Sequence, residues 1–175
     1  MTKDMTQGSP LKLILAFAVP LMLGSLFQQF YNMADTLIVG RTLGVEALAA
    51  VGCTGGLMFF ILGFVIGCTA GLAIITAQRF GAGRKRAVRR SFAVCILLSA
   101  AATVLLTAVS VVFARPVLEL LQTPPEILDA AHSYIIIIFW GIGAAMLFNL
   151  LSNVIRALGD SRTPLYFLVL ACVLN

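Results

Sequence analysis

Four stretches of this chain run for more than twenty residues without a charged side chain, and no other feature limits its fold so strongly. Between Lys12 and Asp35 lie 22 uncharged residues, between Glu46 and Arg79 lie 32, between Arg90 and Arg115 lie 24, and between His132 and Arg156 lie 23. A helix needs roughly 20 apolar residues to cross the hydrocarbon core of a bilayer, so each stretch is long enough. A fifth apolar run starts after Pro164 and stops at Asn175, 13 residues past Arg162. The expected fold is all-α and integral to the membrane: a polytopic helix bundle in one membrane domain over 1–175. It has four transmembrane helices plus the start of a fifth, near 12–39, 47–78, 90–114, 130–155 and 164–175. Because the last run is too short to cross, the chain is expected to be a truncated fragment.

Composition removes the competing classes. The chain is 61% hydrophobic and 11% charged, whereas soluble domains carry roughly 25% charged and roughly 45–50% apolar residues. Disorder is excluded by the same figures, since it requires low hydrophobicity and high charge. The net charge of +5 could suggest nucleic acid, but six of the twelve cations lie between Arg79 and Arg90, wedged between two apolar stretches. No nucleic-acid partner is expected. The four cysteines (Cys53, Cys68, Cys95, Cys172) lie far apart inside apolar segments and read as small hydrophobes. With no nucleophile–base pair and no metal cluster, the chain is not expected to be an enzyme or to hold a cofactor.

The second stretch is too long for a perpendicular crossing, because 32 residues reach about 48 Å against a core of roughly 30 Å. A re-entrant pair would need a break, and no proline interrupts the run, so one long tilted helix is expected. Orientation follows from the loops. The loop over 79–90 carries six cations and no acid, while the first loop balances Arg41 against Glu46 and the third sets Arg115 against Glu119, Glu126 and Asp129. Cation-rich short loops stay cytoplasmic, which puts the N-terminus and the second and fourth loops inside. A cleaved signal peptide is disfavoured, as the helix continues beyond Gln28 with a polar stripe.

Within the third loop, Pro116–Gln122 reads as a short amphipathic helical turn stopped by Thr123, Pro124 and Pro125, and Glu126 restarts the next helix. His132 in that restart reads as an interfacial surface residue. Gly52, Gly56, Gly63, Gly67 and Gly71 form a small-residue stripe expected to bring a neighbouring helix close. Gly141, Ala144 and Ala145 are expected to act likewise. The segment Gly81–Arg86 (GAGRKR) reads as a chain turn with topology-setting cations, in contact with membrane lipid headgroups.

Asp35 is the informative residue. It stands inside an apolar stretch, where a carboxylate costs roughly 2.5–3.5 kcal/mol on insertion scales and usually marks an ion or proton pathway. Gln28, Tyr31, Asn32 and Asp35 follow i, i+3, i+4, i+7 spacing and therefore share one helix face. Pro20 lies further along that face and permits a helix bend. Asn149 and Asn153, spaced i, i+4, form a second polar pair; as it stands it is either a cavity feature or hydrogen-bonding glue between helices.

The ordered combination of these motifs resembles the multidrug and toxic compound extrusion (MATE) transporters. The resemblance rests on Pro20, the run Tyr31–Asp35 (YNMAD), Val39–Gly40, Leu43–Gly44 and Ala47–Ala50. It continues through Gln78-x-x-Gly81-Ala82-Gly83 and Asn153-x-x-Arg156-x-x-Gly159-Asp160 followed by Pro164. It implies part of the N-terminal lobe of a twelve-helix fold with two six-helix lobes around a central cavity. It also implies a secondary active transporter: an antiporter exporting drugs or other cationic or amphiphilic small molecules in exchange for Na⁺ or H⁺. Asp35 matches a family carboxylate in a cation-binding site, with Tyr31 beside it and Asn153 and Asn175 matching asparagines of the same network. The only metal it implies is a Na⁺ at Asp35. Gln28, Asn32 and Asn149 are then candidates for the cavity lining, and Pro20 for the bend. The expected location is the plasma membrane, multi-pass, in the bacterial inner membrane. The expected partners are a small-molecule substrate, membrane lipid and the remaining helices of a full-length transporter.

Two rival readings differ in chemistry. A lipid-linked oligosaccharide flippase of related fold should bring cations into its cavity to hold pyrophosphate, and no Lys or Arg interrupts the four stretches. A non-transporting membrane assembly subunit would use the glycine stripe and have no need of the Asp35 face.

Overall fold

In a computed structural model, residues 9–42 and 44–174 are described, with the backbone alone for Asp35, Val39, Val173 and Leu174. The described chain is helical throughout its ordered elements: α1 (Pro10–Thr42), α2 (Gly44–Gly81), α3 (Lys85–Leu120), α4 (Pro125–Trp140), α5 (Ile142–Ala157) and α6 (Arg162–Leu174). Helices α1, α2 and α3 are each long and apolar enough to cross a membrane. α4 and α5 qualify together as one span bent by 44°. α6 is a shorter apolar helix. α2 is a single unbroken helix of 38 residues, about 57 Å long at 1.5 Å per residue.

Three connections are built alike. α2, α3 and α5 each end in a residue with left-handed backbone: Gly83 (φ 70°), Gln122 (φ 56°) and Gly159 (φ 84°). The amide after each reaches back five residues, from Arg84 to the Arg79 carbonyl (3.1 Å), Thr123 to Leu118 (3.2 Å) and Asp160 to Ile155 (3.2 Å). These are Schellman closures, which satisfy carbonyls that the helix end would leave without partners. The turn within GAGRKR is thus a helix stop, and the basic residues from Lys85 onward belong to the first turns of α3.

α3 continues through Pro116 to Leu120, so the stretch read as a separate amphipathic turn is the end of a long helix. Proline removes one hydrogen bond there, but Ala114 and Leu118, one turn apart on either side of it, are 1% and 0% exposed and anchor both parts to the same core. The fourth span differs more. One helix over 130–155 was expected, and the chain breaks it at Gly141 into α4 and α5. A Cβ at Gly141 would stand 3.0 Å from the Ile138 carbonyl oxygen, so the bend draws backbone into the space a side chain would occupy. Glycine allows that approach.

α2 is the hub, packing against α1, α3, α4 and α5, while α1 packs chiefly on α6. Its buried residues are Ala50, Thr54, Ile61, Val65, Thr69, Ala73 and Thr76. At 3.6 residues per turn these form one stripe, and the glycines at 52, 56, 63, 67 and 71 fall on the opposite side. Among the described residues nothing lies within 4 Å of a Cβ placed at any of those five glycines. The stripe therefore does not mediate the close packing expected of it within this chain. Gly143 does, with Thr103 of α3 3.3 Å from its Cβ position. The core itself gathers Val65, Leu118, Ala131, Ile135, Phe139, Ile142 and Met146 from α2 to α5.

Candidate functional site

A cavity of about 580 Å³ opens between the α1–α6 pair and the α2–α5 pair. α1 contributes Pro20, Gly24, Ser25 and Gln28 to its wall; α5 contributes Asn149, Ser152, Asn153 and Arg156. α6 closes it where Leu165 and Leu168 approach the Cβ position of Gly24 at 3.6 and 3.7 Å. The residues are there because of helical register: 20, 24, 28 and 149, 152, 153, 156 each recur at three- or four-residue steps, which line one helix face.

The polar groups facing this space are held in place. Asn153 Nδ2 donates to Thr69 Oγ1 at 3.1 Å, joining α5 to α2. The Thr69 hydroxyl lies 2.8 Å from the Val65 carbonyl, the acceptor it donates to. Thr69 is 0% exposed, so a polar pair is fixed beside the cavity. Asn149 Nδ2 donates to the Ala145 carbonyl at 2.8 Å within α5, leaving its side-chain oxygen as an acceptor.

Four of the expected site residues therefore meet at one cavity: Pro20, Gln28, Asn149 and Asn153. Pro20 lies inside α1, which continues as one helix on both sides of it. Tyr31 is half-buried and Asn32 exposed; neither is part of this wall. Asn32 Nδ2 lies 3.5 Å from Gln29 Oε1 on its own helix. Asp35 follows Gln28 by two turns along α1, but its side chain lies outside the described residues, as does Asn175 entirely.

Arg156 is the residue that charge counting misplaces. Taken as a span boundary it belongs to the fourth loop, yet it sits in the last turn of α5 and lines the cavity. A cation does reach this wall, against the expectation used to disfavour an anion-handling cavity. The signal was present: Asn149, Asn153 and Arg156 follow i, i+4, i+7. Thr69 could not have been found this way, since its partner is 84 residues distant in sequence.

Next to the cavity, Gly159 closes α5 and Asp160 opens α6. Asp160 Oδ1 accepts the backbone N–H groups of Arg162 (2.9 Å) and Thr163 (3.1 Å), and Oδ2 accepts the Thr163 hydroxyl at 2.7 Å. Partial burial pushes the carboxyl pKa up, but these bonds outweigh it and lower the pKa from 3.8 to about 2. Asp160→Ala is expected to cost the full-length protein about 1 kcal/mol, as loss of a helix N-terminal cap does. Since the folded pKa is depressed, the contribution is complete above the ordinary carboxylate pKa and disappears as pH falls through about 2. Thermal unfolding of wild type and variant should differ at pH 7 and converge between pH 4 and pH 2.

The family model described as MatE matches residues 20–175 of this chain. The chain belongs to the MATE family. Members of this family are transporters, and the multi-pass helical architecture accords with that. The chain is 33% identical over 172 residues to the probable multidrug resistance protein YpnP of Bacillus subtilis (strain 168), covering 98% of this chain and 39% of that protein. It is 27% identical over 166 residues to the FAD transporter of Shewanella oneidensis, covering 94% and 36% respectively. Among solved structures, a MOP superfamily transporter from Pyrococcus furiosus, whose reverse polarity of binding pocket suggests a different function, superposes with a TM-score of 0.88. That likeness has 26% identity and covers 95% of this chain and 37% of that one. The chain thus spans about two fifths or less of the length of these MATE relatives.

Proposed function

We propose that this MATE chain works as part of a cation-coupled antiporter. The antiporter exports drugs or other amphiphilic, cationic small molecules across the plasma membrane in exchange for H⁺ or Na⁺. The cavity between α1, α2, α5 and α6 carries the reading. It gathers amide and hydroxyl groups inside an apolar bundle, with Asp35 two turns further along the helix that supplies Gln28. A carboxylate on a membrane-spanning helix usually marks an ion or proton pathway, and a proton or Na⁺ can neutralise it. In this scheme Tyr31, Asn153 and Asn175 complete the coupling network, and Gln28, Asn32 and Asn149 face the substrate path. Each charge state of Asp35 favours a different helix arrangement, and Pro20 is where α1 changes shape. The N-terminus is cytoplasmic by the distribution of loop cations.

Arg156 supports a second substrate class, molecules bearing a phosphate or other anionic group. The relative named as an FAD transporter is consistent with it, FAD being a diphosphate. Reconstituted full-length protein under an imposed Na⁺ or H⁺ gradient distinguishes the two. Concentrative movement of a fluorescent cationic dye supports the first reading, and movement of FAD without dye supports the second. If neither dye, FAD nor a lipid-linked sugar moves under either gradient, the antiporter reading fails and an assembly role takes its place.

A further inference from the structure

A second cavity, of about 570 Å³, lies at the other side of the bundle hub, between the C-terminal end of α2 and the N-terminal end of α3. Its mouth is formed by Arg79, Arg84, Arg86 and Arg90. Its inner wall is apolar, made by Ile75 of α2 and Val94 and Leu98 of α3. We propose that this cleft binds one anionic phospholipid, its phosphate held by the arginines and an acyl chain laid along the apolar wall. The proposal is independent of what the transporter exports.

Charge comes first. Residues 79–98 contain no Asp or Glu, and none of these four arginines forms a salt bridge among the described residues. Arg84, Arg86 and Arg90 are exposed at the cleft. Arg79 is half-buried and donates Nη1 to the Ala87 carbonyl at 3.3 Å and to Ser91 Oγ, which fixes the two helix ends together. Its Nε and Nη2 donors remain for a ligand. The positive end of α3 adds to this. Its cap position is Arg84, no side chain caps it, and its first turn holds no acid, so the partial charge of the helix N-terminus is uncompensated. Topology-setting cations alone would not require a concave site, nor an apolar wall continuous with it.

A phosphate alone would satisfy the mouth and leave the wall unused; a zwitterionic lipid would bring its own cation to four arginines. An anionic diacyl lipid fits both halves. Basic clefts between transmembrane helices on the cytoplasmic side are suited to such headgroups.

The test uses purified full-length protein in detergent, titrated with phosphatidylglycerol or phosphatidylcholine, with retained lipid counted by native mass spectrometry. Phosphatidylglycerol is expected to bind roughly tenfold or more tightly than phosphatidylcholine. The combined substitution Arg84→Gln, Arg86→Gln and Arg90→Gln is expected to erase that preference. Because these cations also direct insertion, Leu98→Trp is the second variant: it keeps every charge, fills the apolar wall, and is expected to weaken phosphatidylglycerol binding several-fold. Glycerol 3-phosphate, which has the phosphate without acyl chains, is expected not to displace the lipid at equal concentration. Equal retention of the two lipids by wild type would overturn the proposal. So would displacement by glycerol 3-phosphate, or unchanged binding to Leu98→Trp.

Discussion

Asp35→Asn is expected to reduce gradient-driven accumulation by the full-length protein to the passive level, while leaving its thermal stability unchanged or raised. Asparagine matches aspartate in size and can still form hydrogen bonds, but it can neither release a proton nor balance the charge of Na⁺. An ion drives a conformational equilibrium only through its different affinity for the two states. An uncharged side chain at this position removes that difference. The stability readout moves the other way, because a carboxylate at membrane depth costs roughly 2.5–3.5 kcal/mol on insertion scales and the amide removes that charge. Loss of transport together with loss of fold would therefore not count in favour of coupling. An Asp35→Asn protein that accumulates dye as wild type does, with the same ion dependence, sinks the assignment.

Much of this architecture was legible because the bilayer sets a length. Runs of uncharged residues longer than the hydrocarbon thickness announce their helices, and the chain shows α1, α2, α3 and the α4–α5 span where those runs lie. The same logic conceals other features. Charge gaps treat every arginine as a boundary, so Arg156 passes for a loop residue although helix α5 carries it onto a cavity wall. Gly141 looks like any small packing residue, because the sequence holds no trace of the Ile138 carbonyl that approaches it.

The candidate site divides in a similar way. Periodicity put Gln28 on one face of α1 and paired Asn149 with Asn153, and these residues meet at one cavity. What periodicity cannot supply is the partner on another helix. Thr69 becomes visible only when α2 and α5 pack. Asn32 leaves the group because it lies a turn beyond Gln28, the last α1 residue on the wall, and pairs with Gln29 on its own helix. The glycine stripe of α2 was expected to bring a neighbouring helix close, and among the described residues none approaches it: small residues permit close packing but do not name the helix that will use it.

Phe139→Ala is the substitution expected to cost most in stability. Phe139 is 1% exposed and sits one residue before Trp140 at the end of α4, where the fourth span bends. Ile135, Ile142 and Met146 share its cluster, along with Val65 of α2 and Leu118 of α3. In water, Phe→Ala in a core costs about 3–5 kcal/mol, combining lost transfer energy with the cavity left behind. In a membrane the transfer part shrinks, because lipid tails are as apolar as the core. The cavity part persists. For a void on the order of 100 Å³, at about 24 cal/mol per Å³, it amounts to about 2 kcal/mol. Phe139→Leu restores most of that volume and should lose well under half as much. Denaturant unfolding of the purified full-length protein can resolve the difference. Equal stability of the alanine and leucine variants would mean that packing around the bend does not hold α4 and α5 against α2 and α3.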